Sequence, residues 1–218
     1  MFSRKYVILP HDSLVVNGHR LYRIVALKQV NRHVRAGDVG GYVEEDHNLS
    51  QSGTCWVYND AMVYDKARVS GHAQIRNSAQ VYDKARVSGY AWIENRAKVY
   101  GHARVRDYAR VYNSARVYDK ARISGNAQVW MNGSVFGKAR VSDYSEVYGD
   151  AQVTGNVRVR YHTDVSERVH LSGNLRIGKA CKFISVITSM STINKLGNFP
   201  RKSWVIRSRE YATQALRE

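Results

Sequence analysis

The chain has 218 residues, 44% apolar and 24% charged, the proportions of a folded globular domain rather than a disordered tail. No stretch approaches the roughly 18 apolar residues that span a bilayer, and the apolar run Tyr6-Val7-Ile8-Leu9 stops at Pro10, too short for a secretory signal. Lysine and arginine number 34 against 18 acidic residues, a formal charge of +16, and a field of that sign draws polyanions and acidic surfaces.

Residues 5–30 read as a β-hairpin. Tyr6 to Leu9 and Leu14 to Val16 are strand-like, Asn17-Gly18 is a strong turn signal, and Leu21 to Leu27 returns. A lead-in segment follows, from Val34-Arg35-Ala36-Gly37-Asp38-Val39-Gly40-Gly41-Tyr42-Val43 to Leu49 and Cys55-Trp56-Val57. From Val63 the chain repeats every 18 residues: VYDKARVSGHAQIRNSAQ is followed by VYDKARVSGYAWIENRAK and VYGHARVRDYARVYNSAR. Within each block lies a six-residue period of small, polar, aliphatic and then three turn-forming residues. In Ala-x-Val the alanine and valine share one face of a strand and the middle residue takes the other. The Gly, Asp, Asn and Ser that follow favour a bend. Three short strands and three corners close a triangular coil, and coils stack through parallel pairing about 4.8 Å apart.

The fold class expected is therefore all-β, a single-stranded parallel β-helix of 18 residues per coil and about seven coils over residues 55–180. Its domain division is an N-terminal hairpin cap and lead-in over 1–48, the β-helix over 49–188 and a C-terminal appendage over 189–218. The hairpin covers the open end, where unpaired strand edges would otherwise invite association. After Ile187 the period is lost; 189–195 reads as one more strand and 204–216 as either a helix or a frayed end. Cys55 and Cys181, 126 residues apart, both fall in the small inward slot. They would lie about 30 Å apart along the axis, beyond disulfide reach, so two buried free thiols and a reducing cytoplasm are expected.

Stacking turns residues 18 apart into surface columns. One outward column holds Arg68, Arg86, Arg104, Arg122, Arg140, Arg158 and Arg176. The corner before it holds Lys66, Lys84, His102, Lys120 and Lys138, and the column before that Tyr64, Tyr82, Tyr100, Tyr118 and Phe136. A second aromatic corner is partial, with Tyr58, Tyr112, Trp130 and Tyr148. Two explanations compete for the arginines. In one, duplication copied an innocuous residue that stacks on the tyrosines and pairs with Asp65, Asp83 and Asp119. In the other, the column is an anion-binding stripe in which Arg and Lys take phosphates and the Tyr column stacks bases. Gly137, Gly155 and Gly173 replace the acids in the later coils while the arginines persist, which favours the stripe. Phosphates follow one another at about 3.4 Å along a strand and the coils at about 4.8 Å, so binding should be sequence-neutral and salt-sensitive.

The hexad pattern, with an aliphatic residue and a small one four positions later as in Val63 and Ala67, resembles the hexapeptide-repeat proteins, and the resemblance implies a left-handed coil. The lead-in segment over 34–58 is similar to that of YdcK-like bacterial and prophage proteins, whose functions are mostly uncharacterised. What the wider resemblance implies is an acyltransferase alternative: a trimer with a histidine base near a subunit interface and a loop leaving the coil. Here the hexads run unbroken, and His72, His102, His162 and His170 pair with no carboxylate at a meaningful spacing. No catalytic residue, metal site or cofactor is expected. The function expected is a non-catalytic scaffold whose stripe engages nucleic acid or an acidic, nucleic-acid-handling complex, with a phage-encoded inhibitor of a host defence complex as one form. A self-assembling rod, a homo-oligomer built end to end, is the structural alternative.

Overall fold

Each hexad contributes two residues to a strand and turns at the next three, and the consequence is a three-sided solenoid. The computed structural model describes residues 4–178, 182–183 and 205–206. The inward valines and isoleucines and the alanines two positions before them are fully buried from Val57 to Val141. β-Branched side chains fill the flat interior of each side, and alanine lets the chain turn tightly at the corners. Pairing is parallel and in register from coil to coil, as in Arg104 with Arg86 and Arg122, and the backbone N–H of Arg68 donates to Ala85 O at 3.0 Å.

Three sheets result. The hairpin face begins with β1 (Tyr6–Val16), β2 (His19–Ala26) and β3 (Val39–Val43) and continues through Met62–Val63 to His170–Leu171. The arginine face runs from Arg68–Val69 to Arg176–Ile177 in seven strands, and the tryptophan face from Trp56–Val57 to Lys182–Phe183. The predicted hairpin is present, with Asn17 and Gly18 both at positive φ as its tight turn demands. It is not a detached lid. β2 pairs antiparallel with β3, which pairs in parallel with Met62–Val63, so the cap extends the hairpin face by two strands.

The coils number about eight on that face, from β3 onward, rather than seven. The length of the first coil conceals it. Val43 pairs with Val63 and Leu49 with Val69, both 20 residues on, whereas Val57 pairs with Ile75 after 18. Two extra residues between Leu49 and Val57 break the period, and the lead-in segment is itself the first coil. Buried Asn48 pins it to the second: its Nδ2 donates to Asp65 O and Ala67 O at 2.9 and 3.0 Å, and its Oδ1 accepts from the Glu44 and Glu45 N–H groups.

At the other end, Val205–Ile206 form a strand in parallel register with Lys182–Phe183. This corrects the helix predicted over 204–216 at those two positions; the rest of that segment, the 189–195 strand and Cys181 lie outside the described residues. Cys55 is buried and free, as predicted. Its carbonyl and Sγ accept hydrogen bonds from the buried Lys5 Nζ at 2.9 and 3.2 Å. Burial pushes the Cys55 thiol pKa up and the Lys5 ammonium pKa down.

The second residue of the hexad corners takes a left-handed conformation, which explains their Asn, Asp and Gly. In one corner column Asn77 Nδ2 donates to Asn95 Oδ1 at 2.8 Å and Asn95 Nδ2 to Asn113 Oδ1 at 2.9 Å. The next member is Met131, at φ 54 and 45% exposed. Met131→Asn should relieve that strain and extend the amide ladder, raising stability by about 1 kcal/mol. A thermal melt no higher than wild-type would disprove it.

Candidate functional site

The solenoid brings all seven predicted arginines into one register on one sheet. Six are exposed and Arg158 is half-buried. Their predicted partners are otherwise engaged. Asp83 and Asp119 accept the backbone N–H of Gly101 and Gly137 in the next coil, at 2.9 and 3.1 Å. Asp65 makes no ion pair with Arg68, and among the described residues none of the seven guanidinium groups has an ion pair, a hydrogen bond or an aromatic face beneath it. At Arg158 the like charges are felt: Arg140 and Arg176 lower its pKa. Duplication of an internally neutralised residue therefore does not account for the column.

Lys66, Lys84, Lys120 and Lys138 stand exposed on the corner beside it. Over the last coils the lysine column gives way to Asn156 and Asn174, joined by a 2.7 Å amide hydrogen bond. There the surface opens into a groove of about 400 Å³ lined by Lys120, Arg122, Lys138, Arg140, Asn156, Arg158, Asn174 and Arg176. Among the described residues no cluster of His, Cys, Asp or Glu could hold a metal ion.

The tyrosine column has a different role from the one predicted. Tyr64, Tyr82, Tyr100, Tyr118 and Phe136 stack on one another with ring centroids 4.8–5.1 Å apart and planes within 9°. His19 of the hairpin covers the outer face of Tyr64 and is itself held by Glu44 at 2.9 Å. Burial raises the phenol pKa of Tyr64, Tyr100 and Tyr118, and that of Tyr82 to about 12. With both faces of each inner ring occupied, this column cannot stack bases; it is a stabilising spine.

The open aromatic column lies on the opposite edge of the arginine face, at the corner with the tryptophan face, and it is absent from the columns singled out by sequence. It comprises His72, Tyr90, Tyr108, Asn126, Tyr144 and His162, again 18 apart. Tyr90, Tyr108 and Tyr144 are 48%, 58% and 57% exposed. The spacing carries the signal, but Asn126 interrupts it. With Gln74, Trp92, Arg110 and Gln128, the residues from Tyr90 to Tyr144 line a second groove of about 470 Å³. The partial aromatic corner also forms, with Trp130 stacked on Tyr112 and Tyr148, while Arg76 lies over Tyr58 and Trp92.

No helix among the described residues is long and apolar enough to cross a membrane. No curated protein matches the chain. Residues 79–95, almost one full coil carrying Tyr82, Lys84, Arg86 and Tyr90, match the family model described as the YdcK Beta solenoid repeat, which agrees with the stacked coils of the whole: the chain is a β-solenoid containing a YdcK-type repeat.

Proposed function

We propose that the protein is a non-catalytic scaffold that binds an extended polyanion, nucleic acid foremost, along its arginine face. The observation that carries this reading is the seven-arginine column without counter-ions, on a flat sheet bordered by lysines. Unneutralised guanidinium groups in a row raise the local anion potential, and a polyanion that settles there releases condensed counterions. The coil spacing and the phosphate spacing do not match, so the contacts are with phosphates wherever they fall rather than with a fixed sequence.

A salt-series titration of labelled single-stranded and duplex DNA, followed by anisotropy, tests it. If about five phosphates are neutralised, log affinity should fall against log salt with a slope of about −3.5 to −4.5. A protein that binds neither form at low salt, or whose affinity is indifferent to salt, is not a polyanion scaffold.

A further inference from the structure

We propose that the gap at Asn126 in the exposed tyrosine column is a slot for one unstacked base of a single-stranded nucleic acid. The proposal rests on the polyanion reading of the arginine face and narrows it to single strands.

The slot has the dimensions of one missing ring. Tyr90 and Tyr108 stack at 5.0 Å with planes 6° apart, and Tyr144 and His162 at 4.9 Å with planes 6° apart. Between Tyr108 and Tyr144 lie two coil spacings, about 10 Å, and the intervening coil supplies Asn126 instead of an aromatic. A flat ring placed there would keep from each tyrosine the separation that the column's own rings keep. The two facing rings are more than half exposed, in contrast to the closed spine of Tyr82, Tyr100 and Tyr118.

The floor is polar and open to solvent. The Asn126 backbone N–H donates to Asp143 O, but among the described residues its side-chain amide has no hydrogen-bond partner. A carboxamide offers a donor and an acceptor side by side, which suits the edge of a base. Arg122 and Arg140 precede Asn126 and Tyr144 by four residues, so the arginine column runs within about 14 Å of chain from the slot. A strand whose phosphates follow that column can turn a base over the corner. A duplex cannot, because its bases are already stacked and paired. The positive border favours a base over an aromatic side chain of a neutral protein.

The test is Asn126→Tyr, which fills the slot with the ring the column uses at neighbouring coils, with equal thermal melts as the folding control. The probes are a labelled oligothymidylate, a labelled duplex of equal length, and a single strand carrying a fluorescent base analogue that stacking quenches. Wild-type should prefer the single strand and quench the analogue. Asn126→Tyr should weaken single-strand binding about tenfold, abolish the quench and leave duplex affinity unchanged. Unchanged single-strand affinity and quenching in the variant overturn the slot and leave the arginine face standing, as does a wild-type that binds only duplex. Failure of wild-type to bind either form overturns both readings. If the variant instead loses an acidic tyrosine-containing peptide and keeps the single strand, the slot belongs to a protein ring and the proposal falls.

Discussion

Replacing Arg104 and Arg122 together by glutamate should lower affinity for a nucleic-acid strand about 100-fold at moderate salt, because each change removes one phosphate contact and adds a repulsion. These two residues are adjacent in register and sit in the middle of the column, so a bound strand cannot avoid them by sliding a coil or two. Neither makes an internal ion pair or hydrogen bond, so the fold should not notice the loss; the change relieves like-charge crowding and the melt should hold or rise. A matched control is Lys98→Glu with Arg116→Glu. These are neighbours on the hairpin face, and their reversal alters net charge by the same amount. If binding followed net charge alone, both doubles would weaken it equally. The expected result is that the arginine-face double loses most of its affinity and its salt slope flattens, while the control changes a few-fold. Equal losses would mean that the protein attracts anions diffusely and has no binding face.

The contrast between what the sequence discloses here and what it hides has a physical cause. A period of 18 fixes which residues stack, so the arginine column follows from the spacing alone, and the sheet pairs every member as that spacing requires. Where the period slips, legibility ends: the first coil, lengthened by two residues between Leu49 and Val57, reads as a lead-in segment. Stacking also fixes neighbours without fixing exposure. Tyr64 and Tyr90 both belong to stacked aromatic columns, yet the first runs unbroken beneath His19 of the hairpin, while the second is more exposed and broken by Asn126. The packing of a distant segment, the hairpin, distinguishes them along with the break at Asn126. The pairing of Arg with Asp65, Asp83 and Asp119 fails for a related reason. An aspartate at a left-handed corner finds a backbone N–H of the next coil closer than a flexible guanidinium, and two of the three use it.

Gly41→Ala should be strongly damaging for so small a substitution, costing about 1–3 kcal/mol by overpacking. Gly41 is buried in β3, and a Cβ there would lie 2.5 Å from Ala61 O and 2.6 Å from Val57 Cγ1. A backbone oxygen cannot rotate away. Its neighbour Gly40 is equally confined, since a Cβ at that position would meet Ile24 Cγ1 at 2.7 Å and Trp56 Cζ2 at 2.8 Å. Lower coils carry Ala61, Ala79 and Ala97 in the inward column that Gly41 begins, all fully buried, so most coils accommodate the Cβ that the junction does not, Gly133 being a second confined position in the same column. Gly40-Gly41 is thus explained by close packing between cap and coil. Because a solenoid's stability is roughly a sum of contacts between neighbouring coils, the damage should stay local. Hydrogen exchange should accelerate across β1, β2 and β3 while the strands from Lys98–Val99 to Arg140–Val141 keep their protection. Undocking the hairpin would also bare the edge of the hairpin face, and concentration-dependent association should follow. A variant that exchanges, melts and sediments like wild-type would show that the cap is held by something other than the close approach at Gly41.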